Sequence, residues 1–390
     1  MGGTQLLDLP AEMLQSVCSF VDASDLPTLR LTCKTLEAAA FDLFATEYLS
    51  NLTCYFMQSV RLTRLENILR TPHLVRKVKD VKLCLYIWER NDTINAKRPQ
   101  SDKYQPHDVG DGEMQRLNRR EPDAGHISRI FSLLKSAGAR LDLDLLRPLS
   151  HKQLLLWQHI DPKILQLIRA AAIPLHALAL ENVSMQHPTT TDEELAVAAQ
   201  LRTLKQFQYS CDYQQGFGDA RSHELTMLSY VLTAASNLQH LDIYIDSANC
   251  IDISTELRNL SCLPNLHELN FSGCFHISYT VLASWLQACT SLRTLKAEST
   301  ILEFGPNRES WYEILHLLRL LPELHVVDLG ELGMSGWGMN IPSAQVGLHH
   351  DWYDLIINTS SRKETMAELD SHIARIERSR SSLSGLQPHG

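Results

Sequence analysis

A short pattern, apolar-x-x-apolar-x-apolar, recurs along the chain and constrains its fold more than any other feature. Clear copies are Leu175-x-x-Leu178-x-Leu180, Leu204-x-x-Phe207-x-Tyr209, Leu238-x-x-Leu241-x-Ile243, Leu266-x-x-Leu269-x-Phe271, Leu292-x-x-Leu295-x-Ala297 and Leu324-x-x-Val327-x-Leu329. Val78-x-x-Val81-x-Leu83 and the Leu141/Leu143 pair are weaker, earlier copies. Each copy ends in the apolar–polar alternation of a half-buried strand. The middle positions, 178, 207, 241, 269, 295 and 327, are 29, 34, 28, 26 and 32 residues apart. Helical stretches lie between them: Pro162 to Ala172, Asp192 to Leu201, His223 to Ala235, Tyr279 to Ala288 and Glu309 to Leu321. Thr191 with Glu194 forms a capping box before Leu195. A strand–helix unit this small cannot bury both its apolar faces, but stacked units can, each strand pairing with the next and the helices covering the outside. The expected class is α/β: an irregular solenoid of strand–helix repeats with a curved parallel sheet. A plain α/β domain is the other arrangement the pattern allows.

The N-terminus, LLDLPAEMLQSVCSFVDASDLPTLRLTCKTLEAAAFDLFATEYL, reads differently. Leu9-Pro10 opens a helix, because proline's missing N–H is not needed in the first turn. Glu12 suits the positive end of the helix dipole. Leu14, Val17, Cys18 and Val21 recur at helical spacing as one apolar face. Asp22 to Asp25 breaks the helix, and Ser24 is placed to cap a second one. A third, alanine-rich helix carries Leu36, Ala40, Leu43 and Phe44. Three short helices cannot bury this much apolar surface alone, so the surplus is expected to meet a partner.

This segment resembles an F-box: L-x-L-P-x-E followed by D-L-x-x-L-R-L-T-C-K. Leu7, Leu9, Pro10, Glu12, Leu14, Val17, Leu26, Leu29, Arg30, Leu31, Cys33 and Lys34 stand in that family's order and spacing. Where many F-boxes have Arg-Trp or Lys-Arg-Phe, this chain has Thr35-Leu36, a smaller anchor. The stretch PNLHELNFSGCFHISYTVLASWL resembles the cysteine-containing leucine-rich repeat of F-box proteins, with Cys274 near the family's asparagine or cysteine position, read as a buried turn residue; the other repeats are degenerate. The layout is similar to that of many F-box proteins of filamentous fungi. The resemblance implies that these twelve residues dock on a Skp-family adaptor and, through it, a cullin. The chain would then be the substrate-recognition adaptor of a Skp–cullin–F-box (SCF) ubiquitin ligase. The alternative is an F-box/leucine-rich-repeat scaffold working outside any ligase.

Composition narrows the class. Of 390 residues 44% are hydrophobic and 21% charged, ordinary for a folded protein. The net charge of −9 argues against a nucleic-acid backbone as main partner. Nine cysteines without a C-x-x-C pair read as free thiols in a reducing compartment. MGGTQLLDLP has neither the basic nor the apolar region of a signal peptide, and Leu6 breaks the myristoylation pattern. No run of eighteen apolar residues offers a membrane span. The expected location is cytoplasm, nucleus or both.

The expected organisation is an F-box at 1–50, a linking helix within 51–75 (Phe56 to Arg70), and the solenoid at 76–332. Asn91 to His126 is polar, contains Pro99, Pro106 and Pro122, and is expected to be a mobile insertion. In 333–390 an ordered loop (Gly330 to Asp351) is expected to leave the last strand. A capping helix follows, opened by Ser361 and Glu364 and striped by Met366, Leu369, Ile373 and Ile376, with a disordered tail from Ser379.

No enzyme motif appears: there is no G-x-S-x-G, Walker A loop, G-x-G-x-x-G or H-E-x-x-H. His349-His350-Asp351 lacks a second ligand pair, and Cys274 with His276 falls within a repeat. Trp157, Trp285 and Trp311 lie on apolar helix faces. The chain is read as a non-enzyme needing no cofactor and no metal. The remaining surface is the polar strand face, concave in a solenoid: Arg140, Asp142, Asp144, Ala177, Ala179, Glu181, Gln206, Gln208, Ser210, His240, Asp242, Tyr244, Glu268, Asn270, Ser272, Thr294, Lys296 and Glu298. Its six acids against two bases favour a basic or hydrogen-bonding target protein.

Overall fold

The computed structural model describes residues 6–55, 59–84, 124–145, 173–181, 198–212, 221–246, 251–254, 257, 263–303, 311–330, 333–335, 355–358 and 361–384. They fall into two compact units, divided essentially between residues 144 and 174.

The first unit begins with α1 (Ala11–Cys18), α2 (Leu26–Thr32) and α3 (Lys34–Tyr48). Pro10 stands just outside α1, where its carbonyl accepts the N–H groups of Met13 and Leu14, each at 3.0 Å. No side chain caps α2: Ser24 lies in a single 3-10 turn, Ala23–Asp25, and Asp25 holds the cap position. Ala39, Ala40 and Ala45 are buried on α3, their small side chains occupying little of the space between helices.

Asn51–Tyr55, read as part of a linker, is instead a strand, β1. It pairs in parallel with β2 (Asp80–Cys84), which pairs with β3 (Arg140–Leu145). α4 (Ser59–Arg70), α5 (Pro72–Val75) and α6 (Ala124–Ala137) lie between these strands in sequence. The last three residues of the expected insertion, 124–126, therefore open a helix; 91–123 lie outside the described residues. Leu49-x-x-Leu52-x-Cys54 has the spacing of the recognised copies, but it was missed because it follows the last turn of α3 directly, with Leu49 capping that helix.

The second unit is a sheet in the order β4 (Leu175–Glu181), β5 (Gln206–Asp212), β6 (His240–Asp246), β8 (Glu268–Ser278), β9 (Thr294–Glu303) and β10 (Val326–Gly330), all parallel. β12 (Leu355–Asn358) runs antiparallel on β10, a pairing the repeat pattern did not announce. The register bears out the repeat. Leu178, Phe207, Leu241, Leu269, Leu295 and Val327 stand opposite one another in one row, all buried. Leu180, Tyr209, Ile243, Phe271, Ala297 and Leu329 form the next buried row. The backbone repeats too. The carbonyls of Lys205, Gln239, His267 and Arg293 each accept two N–H groups from the start of the following strand, at 2.8–3.0 Å. Ser50 does the same toward Lys79 and Asp80 in the first unit.

α7 (Arg221–Ala234), α8 (Tyr279–Ala288), α9 (Trp311–Leu320) and α10 (Arg362–Ser384) complete the second unit. Trp285 of α8 stacks on Phe271 at 5.8 Å between ring centres, so helices cover the apolar rows and leave the polar ones open. Trp311 is also buried, while Trp157 lies outside the described residues. α10 opens with the Glu364 N–H donating to Ser361 Oγ at 3.4 Å and buries Leu369, Ile373 and Ile376. It runs to Ser384, so residues 379–384, expected to be disordered, are helical.

β8 and β9 run longer than the other strands, eleven and ten residues. They pair in two stretches, before and after a bulge where Gly273 and Cys274 oppose Ser299 alone. Beyond it β7 (Ile251–Asp252) joins β8, and β11 (Gly333–Ser335) joins β9. Cys274 thus sits in a bulge within a continuous strand, not in a turn ending one.

Candidate docking surfaces

Among the described residues ten large apolar side chains are exposed, and seven of them fall within residues 6–48: Leu6, Leu7, Met13, Val17, Phe20, Leu31 and Tyr48. α1 explains this concentration. Leu14, Cys18 and Val21 form its inward stripe, Leu14 and Cys18 joining Leu26, Ala39 and Ala40 in the core and Val21 packing against it. Met13, Val17 and, just past the helix, Phe20 repeat the same spacing on the adjacent flank, where Val17 is 41% and Phe20 87% exposed. A helix apolar on two faces is ordinarily covered on both. Only one is covered here.

The twelve residues expected to dock therefore divide. Leu14 and Leu26 are core, and Leu9 and Leu29 are half-buried against it, so these four hold the domain together. Arg30 also works inward. Its guanidinium lies 3.9 Å from the centre of the Phe44 ring and 5.7 Å from that of Phe41, while Nη2 donates to Glu37 at 3.4 Å, bracing α2 against α3. Cys33 is half-buried and precedes α3, its carbonyl accepting the Glu37 N–H at 2.9 Å. Leu7, Pro10, Glu12, Val17, Leu31 and Lys34 remain on the surface, Leu31 at 87% exposure. Met13 and Phe20 belong with them and were missed. Their signal was a second helical period offset by one residue from the first.

The polar strand face divides between the two units. In the first, Arg140 Nη2 donates to Asp80 Oδ2 at 2.8 Å, with Nε on Oδ1, and Lys82 pairs with Asp144 at 2.7 Å. Burial alone would lower the Lys82 pKa; its hydrogen bond to Asp144 and the nearby carboxylates overcome this and raise it. Asp144 is thus already matched, and Asp142 adds to the field on Lys82. Asp80 and Lys82 add one acid and one base, so the net charge of this face is unchanged, but Asp80 and Asp144 are both paired rather than open to a target.

In the second unit one open row holds Ala177, Gln206, His240, Glu268 and Thr294, with His240 Nδ1 3.0 Å from Glu268 Oε2. The next holds Ala179, Gln208, Asp242, Asn270, Lys296 and Asp328. The third runs from Glu181 through Ser210, Tyr244 and Ser272 to Glu298. Ser210 is nevertheless buried, whereas Tyr244, Lys296 and Glu298 are exposed. Asp328 was missed because the last copy was not read for its flanking positions.

Burial raises the pKa of the Cys18 and Cys54 thiols, and burial with the Asp144 charge pushes Cys84 up to about 12. His276 lies 3.8 Å from Glu303, and burial followed by the nearby Asp252 charge raises the Glu303 carboxyl. No group of three His, Cys, Asp or Glu among the described residues could hold a metal; His349, His350 and Asp351 are outside them. No described helix is long and apolar enough to cross a membrane.

The family model for F-box-like domains matches residues 6–45, the stretch carrying the exposed apolar stripe. No curated protein matches the chain.

Proposed function

We propose that the protein is a substrate-recognition adaptor of an SCF ubiquitin ligase. F-box domains as a class bind Skp-family adaptors, and residues 6–45 are an F-box-like domain. The docking surface in this reading is Met13 and Val17 of α1, Phe20 just after it, Leu7 and Leu31, and the adaptor links it to a cullin. The in-register strand repeat acts as a leucine-rich-repeat-like solenoid whose polar face holds a target protein. The chain performs no chemistry of its own: it brings a charged ubiquitin-conjugating enzyme near a target lysine and raises their effective concentration. Its place of work is the cytoplasm, the nucleus or both.

One observation carries this reading: the exposed apolar side chains concentrate in the matched domain, on a helix with one face covered and the other open. Each large aliphatic side chain fully buried there contributes about 1.5–3 kcal/mol. Val17→Ala with Leu31→Ala is expected to weaken adaptor binding at least tenfold or so, roughly 1.4 kcal/mol, while the thermal melt stays unchanged. Leu14→Ala, by contrast, should cost about 2–5 kcal/mol of domain stability. Quantitative pull-down with a Skp-family adaptor, paired with melts, reads both. Undiminished binding by the double variant would remove the proposed surface, and recovery of adaptor without cullin would favour the scaffold.

A further inference from the structure

One part of the first unit carries a charge opposite to that of the chain as a whole. Residues 59–79 and 124–137, which supply α4, α5 and α6, contain eight Lys and Arg against one acid, Glu66, in a protein of net charge −9. That acid is turned inward. Its side chain is 12% exposed and already holds Arg70 at 2.6 Å, His126 at 2.9 Å and Arg129 at 3.5 Å. Leu62, Leu65 and Leu69 bury the opposite side of α4, leaving Arg61, Arg64 and Arg70 exposed. Arg76 and Lys79 continue the exposed cations toward β2. Arg64, Arg76 and Lys79 have no acidic partner among the described residues.

This layer is also held in place. The Arg61 guanidinium lies 4.7 Å from the centre of the Tyr55 ring, Lys77 pairs with Asp42 of α3 at 2.7 Å, and the Lys79 N–H donates to Ser50 at 3.0 Å. Like charges fixed together repel one another, and an incoming anion relieves that repulsion. We propose that this layer is a docking surface for a short Asp/Glu-rich segment of a partner protein. Two features favour an acidic peptide over a nucleic acid. Arg61 occupies a face of Tyr55 and His73 lies against Phe41, so neither presents a clear stacking platform for bases. The charge of the rest of the chain repels a long polyanion but not a short segment. This inference is independent of the adaptor reading, because it places its partner on α4 and the turn after α5.

The test uses the full chain and a fluorescent Asp/Glu peptide of about twelve residues, titrated by anisotropy at about 0.05 M and about 0.3 M salt. Binding is expected at low salt, weakening steeply at high salt. Arg64→Gln with Arg76→Gln and Lys79→Gln, all surface changes, should weaken it about tenfold with an unchanged melt. Arg293→Gln with Arg319→Gln, in the second unit, should leave it as it was. Absence of binding at low salt overturns the proposal, and so does equal binding by the triple variant. Tighter binding of a single-stranded RNA of equal length overturns it too, and makes the surface a nucleic-acid site.

Discussion

Glu303 shows how one half-buried carboxyl ties stability to pH. Burial comes first and the Asp252 charge second in raising its pKa, with His276 opposing them. A carboxyl raised on folding stabilises the folded chain while protonated, fully so below its unfolded value near ~4.3. That contribution is lost as the pH rises through the folded value. At neutral pH the ionised group therefore works against folding. Glu303→Gln, which keeps the shape without the charge, is expected to raise the melting temperature at pH 7. The gain should shrink on acidification toward about pH 4.5. Melts of both proteins across that interval decide it; a gain independent of pH would assign the effect to packing instead. The neighbours Val17 and Cys18 make a second point at this level, one facing outward and the other sealed in the core. Both read as members of one apolar stripe, because adjacent positions on a helix are only a fraction of a turn apart.

Strands and helices obeyed local rules wherever those rules had one solution. α8 spans Tyr279–Ala288, as its spacing predicts, and α9 spans Trp311–Leu320 within the expected Glu309 to Leu321. The bulge in β8 is where local reading stopped. Gly273 has φ +100°, and a Cβ there would lie 1.9 Å from the Ile245 carbonyl oxygen of the neighbouring strand. Ser299, opposite it, also takes a left-handed φ of 54°. An isolated glycine within a strand pattern signals such a bulge, but the partner strand decides how closely the backbones approach. Gly273→Ala is expected to cost roughly 2–4 kcal/mol, measured by chemical denaturation. Ser272→Ala, one residue before the bulge, should cost well under about 1 kcal/mol. A small loss at Gly273 would mean that the two strands separate easily there.

For the molecule entire, charge is partitioned between surfaces. α4, α5 and α6, with the turn after α5, carry the basic excess, and the open sheet face of the second unit carries Asp242, Glu268, Glu298 and Asp328 against Lys296 and the paired His240. If that face holds the target, Asp242→Lys with Glu298→Lys and Asp328→Lys should abolish target recovery in affinity purification under proteasome inhibition, leaving adaptor recovery intact. An unchanged set of recovered proteins would take the face out of consideration. Asp144 is a poor choice for this test, since reversing it breaks its pair with Lys82.

Apolar spacing alone determined that the strands around 178, 207, 241, 269, 295 and 327 share one buried row. Stacked parallel strands of equal parity bury the same side, and any slip by one residue would expose every member. The same holds for the match at residues 6–45, which rests on order and spacing. Packing in three dimensions decided the rest. α1 offers two apolar stripes of the same period, and only the positions of α2 and α3 select which lies inside. Asp144 and Arg140 of β3 found their counter-charges, Lys82 and Asp80, on β2, a strand some sixty residues earlier in the chain. Spacing records which side chains share a face; it does not record what that face meets.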